Sequence, residues 1–167
     1  MGGDLKKFLP ALVCGFGASV ITTIPGLRDL GCCLVVPLAA MFSIILYKRT
    51  DNSILKIEAV TAVGFGFATG IIAAFFASCF DVLITFITRS NEFVSSLPQT
   101  ESMIKGMKLG PVVDESLKLL KKIASEITKT GFSPLYTVFI FITNMITFSI
   151  FGILGGLIGM LFVNKKT

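Results

Sequence analysis

The chain has 167 residues, a formal net charge of +5, 53% hydrophobic residues and a mean hydropathy of +0.86. Its apolar residues gather in long blocks, which excludes an ordinary soluble domain and leaves little chain for anything beside a membrane domain. The absence of histidine removes Ser–His and Cys–His nucleophile pairs and the commonest metal ligand.

The expected architecture is all-α, with four transmembrane helices arranged as two antiparallel hairpins over 8–24, 30–47, 58–88 and 134–163. A helical insertion over 90–133 is expected between the third and fourth. The start, MGGDLKKFLPALVCGFG, is basic and then apolar, but no A-x-A-like cleavage site follows, so it reads as a retained helix. Pro10 falls in the first turn of that helix, and Pro25-Gly26 ends it. The link to the second helix is so short that the two must form a hairpin. Pro37 is expected to kink the second helix, and Asn52 or Ser53 to cap the third, which starts near Ile54.

The third helix organises the rest. From Val60 to Ile87 it carries one charge, Asp81, and a row of small residues, Gly66, Gly70, Ala74 and Ser78. The fourth carries Gly152, Gly156 and Gly159 in overlapping small-xxx-small pairs. These rows predict close packing of the third and fourth helices within one chain. In the insertion, one helix is expected over Pro98–Lys108 and a second over Val112–Lys129. Val113, Leu117, Leu120, Ala124 and Ile127 give the second an apolar face, and Gly131 stops it. Ser133-Pro134 reads as the cap and first residue of the fourth helix.

Seven basic residues lie with the termini and the Lys48–Glu58 turn, and eight lie on the other side. The first set is packed against helix ends, so both termini are placed in the cytoplasm. On that orientation Asp81 lies about 31 Å along the third helix, at the outer edge of the hydrocarbon, with Asn144 at similar depth. The helices then continue outside the membrane through Val82–Thr88 and Pro134–Thr143, where the amphipathic helix is expected to cover them.

Asp81, Asn144 and Arg28 are the candidate polar residues. Asp81 either binds a cation, relays a proton or pairs with Arg28, or it is an interfacial carboxylate, hydrated or bonded to Asn144. Cys33 and Cys79 are a candidate thiol pair, set against the plainer reading of cysteine as a small apolar residue. No metal site, cofactor motif or catalytic constellation is expected. The basic residues flank apolar blocks, which argues against nucleic acid as a partner.

The run Ile24-Pro25-Gly26-Leu27, Cys32-Cys33-Leu34 and Leu46-Tyr47-Lys48-Arg49, followed by the Gly/Ala-rich helix, resembles a broad set of small uncharacterised prokaryotic membrane proteins. The resemblance covers about Leu12–Ala74. It implies a prokaryotic inner membrane and assigns no catalytic residue. The expected function is a non-enzymatic structural or accessory subunit in the lipid bilayer, in a homo-oligomer or a larger membrane complex. The alternatives are an oligomeric transporter or channel component using Asp81 and Asn144, and a membrane thiol-redox protein.

Overall fold

The computed structural model describes residues 2–24, 31–50, 55–106 and 111–165. Among these residues every element is helical: α1 Gly2–Thr22, α2 Gly31–Thr50, α3 Ala59–Thr88, α4 Glu92–Gly106, α5 Pro111–Thr130 and α6 Pro134–Lys165. Three of them, α2, α3 and α6, are long and apolar enough to cross a membrane, at 20, 30 and 32 residues. The apolar helix Lys7–Thr22 falls short of that length, so on length and composition three of the four expected spans meet the requirement. Two compact units are present: Met1–Cys79 with Phe141–Thr167, and Phe80–Ile140.

The first unit is built on small residues. A β-carbon placed on Gly66 would collide with the carbonyl oxygen of Gly152; one on Gly70 would collide with that of Phe148, and one on Gly156 with that of Ala62. Residue numbers fall on α6 as they rise on α3, so the two helices run antiparallel with their backbones touching. Gly155 lies against the backbone of Pro37, and Gly159 against Met41, which seats α2 beside α6. α1 completes the core. Its Gly15 meets Thr69, and Ala18 packs with Val36, Ala73, Ala74, Ala77 and Phe148. A second cluster joins Ala11, Ile44, Ile57, Ala62 and Phe65. Gly31 sits against Thr22, which brings the start of α2 to the end of α1 as a hairpin requires.

The buried hydroxyls Ser19, Thr22 and Thr69 bond back to carbonyls of their own helix, at 2.6, 3.0 and 2.8 Å, so the core carries them without cross-links. Ser43 is the buried side chain without a partner among the described residues. α2 opens with a π-helical turn, Gly31–Val35, and becomes α-helical at Val36. Pro37 therefore sits in the first turn of the α-helical part, where its missing N–H interrupts least.

In the second unit, α5 buries Leu117, Ile123, Ala124 and Ile127. Ile123 takes a buried place the sequence reading had not given it, and Leu120 is only half-buried; the Val113 side chain lies outside the described residues. Gly131 ends α5 with φ +78°, its N–H on the Ile127 carbonyl at 2.7 Å. That left-handed geometry favours glycine, and an added β-carbon would strike the Phe86 carbonyl.

Several boundaries differ from expectation. α1 begins at Gly2, so Pro10 lies well inside it. α3 begins at Ala59, after an irregular 55–58; the caps at Asn52 and Ser53 lie outside the described residues, as does the Pro25-Gly26 turn. α4 begins at Glu92 because the Asn91 side chain accepts from the Val94 N–H at 2.9 Å, and this cap outweighs Pro98 as a starting signal. Cover over 82–88 and 134–143 is partial: Thr85, Tyr136 and Ile140 are buried, while Leu83, Phe86, Ile87, Leu135 and Phe139 are exposed. One amphipathic helix shields one side of such a pair and leaves the other open.

Replacing Gly66, Gly70 or Gly152 with Ala should cost about 1–3 kcal/mol each, because backbone must move to admit the methyl group. Gly17→Ala and Gly64→Ala, where the added carbon meets open space, should be neutral or stabilising by up to about 1 kcal/mol. Thermal unfolding of the purified chain in mild detergent separates the two groups; equal shifts in all five variants would contradict the backbone contact.

Candidate functional site

Asn144 and Asp81, the polar residues singled out on the long helices, each have a partner in their own unit. Asn144 donates from Nδ2 to the Ser78 hydroxyl at 2.9 Å, with Ser78 fully buried. A primary amide in an apolar core is stable there only when so engaged. Asp81 accepts from the Tyr136 phenol at 2.9 Å. Tyr136 stands in the first turn of α6, is buried, and carries the Phe93 ring 5.9 Å away, which ties α4 to the same point.

Around this pair lie two further contacts. Ser133 occupies the expected cap position before Pro134, but its hydroxyl donates to the Glu126 carboxylate at 2.7 Å. Asn91, besides capping α4, reaches Thr85 at 3.5 Å. Val82, Thr85, Gly131, Phe132, Ser133, Tyr136 and Thr137 line a crevice too shallow to hold a water molecule. Lys121 pairs with Glu101 at 2.7 Å and joins α5 to α4; with its lysine exposed, the pair contributes little. Phenol-to-carboxylate and hydroxyl-to-carboxylate bonds lock helices together. They do not make an activated nucleophile, which needs an adjacent base with a lowered or matched pKa.

A second polar cluster lies at the far end of the first unit. The Asn164 amide grips the backbone of Ile57 twice, Oδ1 accepting from its N–H at 3.0 Å and Nδ2 donating to its carbonyl at 2.9 Å. Lys48 donates to the Val163 carbonyl at 3.4 Å, a cation placed where the last helical carbonyls lack partners. Tyr47 and Phe8 pack on the Phe65 ring, with centroids 4.3 and 5.2 Å away.

Arg28 lies outside the described residues. No disulfide joins the described cysteines, and the Cys32 and Cys33 sulfurs lie 3.6 Å apart. No group of three or more metal-ligating side chains occurs among the described residues. Sequence reasoning missed Tyr136, Asn164 and Ser78 as partners. The usable signal was the cost of burying Asp81 and Asn144, which requires a partner for each; it does not say which residue. Comparison with protein-family models, curated proteins and solved structures finds no match.

Tyr136→Phe and Asp81→Ala should each lower stability by about 1–2 kcal/mol, with the double variant well short of their sum. Asn164→Leu, which removes two backbone bonds, should cost a similar amount. Denaturant unfolding in detergent checks both, and additive effects at 81 and 136 would refute the pairing.

Proposed function

We propose that this chain is a multi-pass protein of a prokaryotic cell membrane that serves as a non-enzymatic structural or accessory subunit, with both termini in the cytoplasm. The observation that carries the reading is the closed interior of the first unit. Where Gly66 and Gly70 meet α6, the helix backbones touch, and the polar side chains at Ser78 and Asn144 are spent on each other. Such an interior favours a rigid element over a conduit.

In this reading α1 is the fourth span. Its supports are the core residues Ala11, Gly15 and Ala18 on one face and exposed Leu9, Leu12, Val13, Phe16 and Val20 on the other. Large apolar side chains on an outer face suit lipid, which replaces water as their surroundings. A short span is accommodated by local thinning of the bilayer. The subunit works with further copies or with other membrane proteins, and Asp81 acts as a helix lock.

Native mass in mild detergent, together with identification of co-purifying chains, tests the subunit role. The expected result is a complex larger than one chain that survives Asp81→Asn. A strict monomer with no partner would overturn it, and an Asp81→Asn variant that assembles normally but loses an ion flux would favour the transporter. For orientation, a cysteine at exposed Ser125 should react with an impermeant maleimide from outside intact cells, while a C-terminal tag should be reached only after permeabilisation; the reverse pattern would invert the topology.

A further inference from the structure

The second unit exposes two kinds of surface. The first is an apolar collar: Leu83, Phe86 and Ile87 at the end of α3, with Leu135, Val138 and Phe139 at the start of α6, all at least 48% exposed. The second is a basic row on α5. Lys118, Lys122 and Lys129 fall within about 40° of one another at 100° per residue, on the pole opposite buried Leu117, Ile123, Ala124 and Ile127, with exposed Glu115 the acidic neighbour at the row's N-terminal end. Exposed Ser125 lies between them. Lys121, off the row, is held by Glu101.

We propose that this unit is an interfacial module that binds acidic lipid headgroups, its collar entering the acyl boundary and its Lys118–Lys122–Lys129 row facing lipid phosphates. The dimensions support this. Exposed apolar residues recur on α6 from Leu135 to Phe162, about 40 Å of helix, against about 30 Å of hydrocarbon and 40–45 Å with the headgroup layers. The excess falls in the interfacial zone. The charge pattern separates lipid from a second copy. Arg89 and Lys129 lie three and two residues in sequence from Phe86 and Gly131, which touch one another, and a twofold contact there would bring two like-charged patches together. Anionic headgroups complement them, each lysine near such a surface being worth roughly a five-fold preference before screening.

The inference rests on the membrane reading, and the test separates the two. The full chain is reconstituted in vesicles of mixed phosphatidylcholine and phosphatidylglycerol, with the photo-crosslinker p-benzoylphenylalanine replacing Ser125, Phe139 or Ile150 in turn. Ile150, exposed at mid-helix, reports on the membrane reading alone. At equal mole fractions, adducts at position 125 should favour phosphatidylglycerol at least five-fold. The preference should approach parity in high salt and in a Lys118→Gln/Lys122→Gln/Lys129→Gln variant, while position 139 should yield adducts with both lipids. Lipid adducts at 150 with none at 125 or 139, a chain-to-chain adduct at 139, or a preference at 125 that survives the triple variant would overturn the module. Absence of lipid adducts at 150 would overturn the membrane reading itself.

Discussion

The contact on which the rest of the first unit depends is the meeting of α3 and α6 without side chains between them. At Gly66 and Gly70 the hydrogen standing in place of a β-carbon points at a carbonyl oxygen of α6. That is the geometry of a weak Cα–H···O contact, repeated at successive turns. Lipid tails are as apolar as the helix surfaces, so apolar burial gives little drive to associate. Close approach, dispersion and these weak polar contacts take its place, and each requires glycine. The same logic places Gly155 and Gly159 against α2 and Gly15 against α3. Four helices thereby share one interior made mostly of Ala, Gly, Ser and Thr, and the bulky Phe, Leu and Ile residues lie outward.

Such an interior has little tolerance for polar groups, and the arrangement of those present follows from that. The hydroxyls of Ser19, Thr22 and Thr69 fold back onto their own helices. The one primary amide in mid-helix takes the one nearby serine. At the Ile57 end, where the last turn of α6 leaves carbonyls unsatisfied, Asn164 and Lys48 tie the helix ends together. In the second unit the Asp81–Tyr136 bond performs the corresponding task, beside the left-handed turn at Gly131 that reverses the chain between α5 and α6.

Much of this was legible in the sequence, for a definite reason. Small residues at four-residue spacing on two long apolar helices have few uses other than contact, so the packing of these two helices through their small-residue rows could be read, though not which glycine meets which. The amphipathic period of α5, its glycine stop and the start of α6 at Pro134 were equally plain. What was not legible were the choices between competing signals. Pro98 looked like a helix start, but the Asn91 cap wins six residues earlier, since proline in an exposed turn sacrifices one bond while the cap satisfies an otherwise orphaned donor. Asp81 and Asn144 looked like partners because depth along a helix is readable, whereas rotation and reach are not; the bonds to Tyr136 and Ser78 could not be read that way. Cys33 was set with Cys79 by depth alone, a reading that does not show the approach of the Cys32 sulfur to that of Cys33.

The most direct measurement of the central contact is solid-state NMR of the chain in lipid bilayers with glycine labelled at its α-carbons. Gly66 should show short-range carbon–carbon cross-peaks to Gly156, and Gly70 to Gly152, since no side-chain atom separates them. Spectra in which these glycines correlate only with sequence neighbours would contradict the backbone-to-backbone interior on which the account is built.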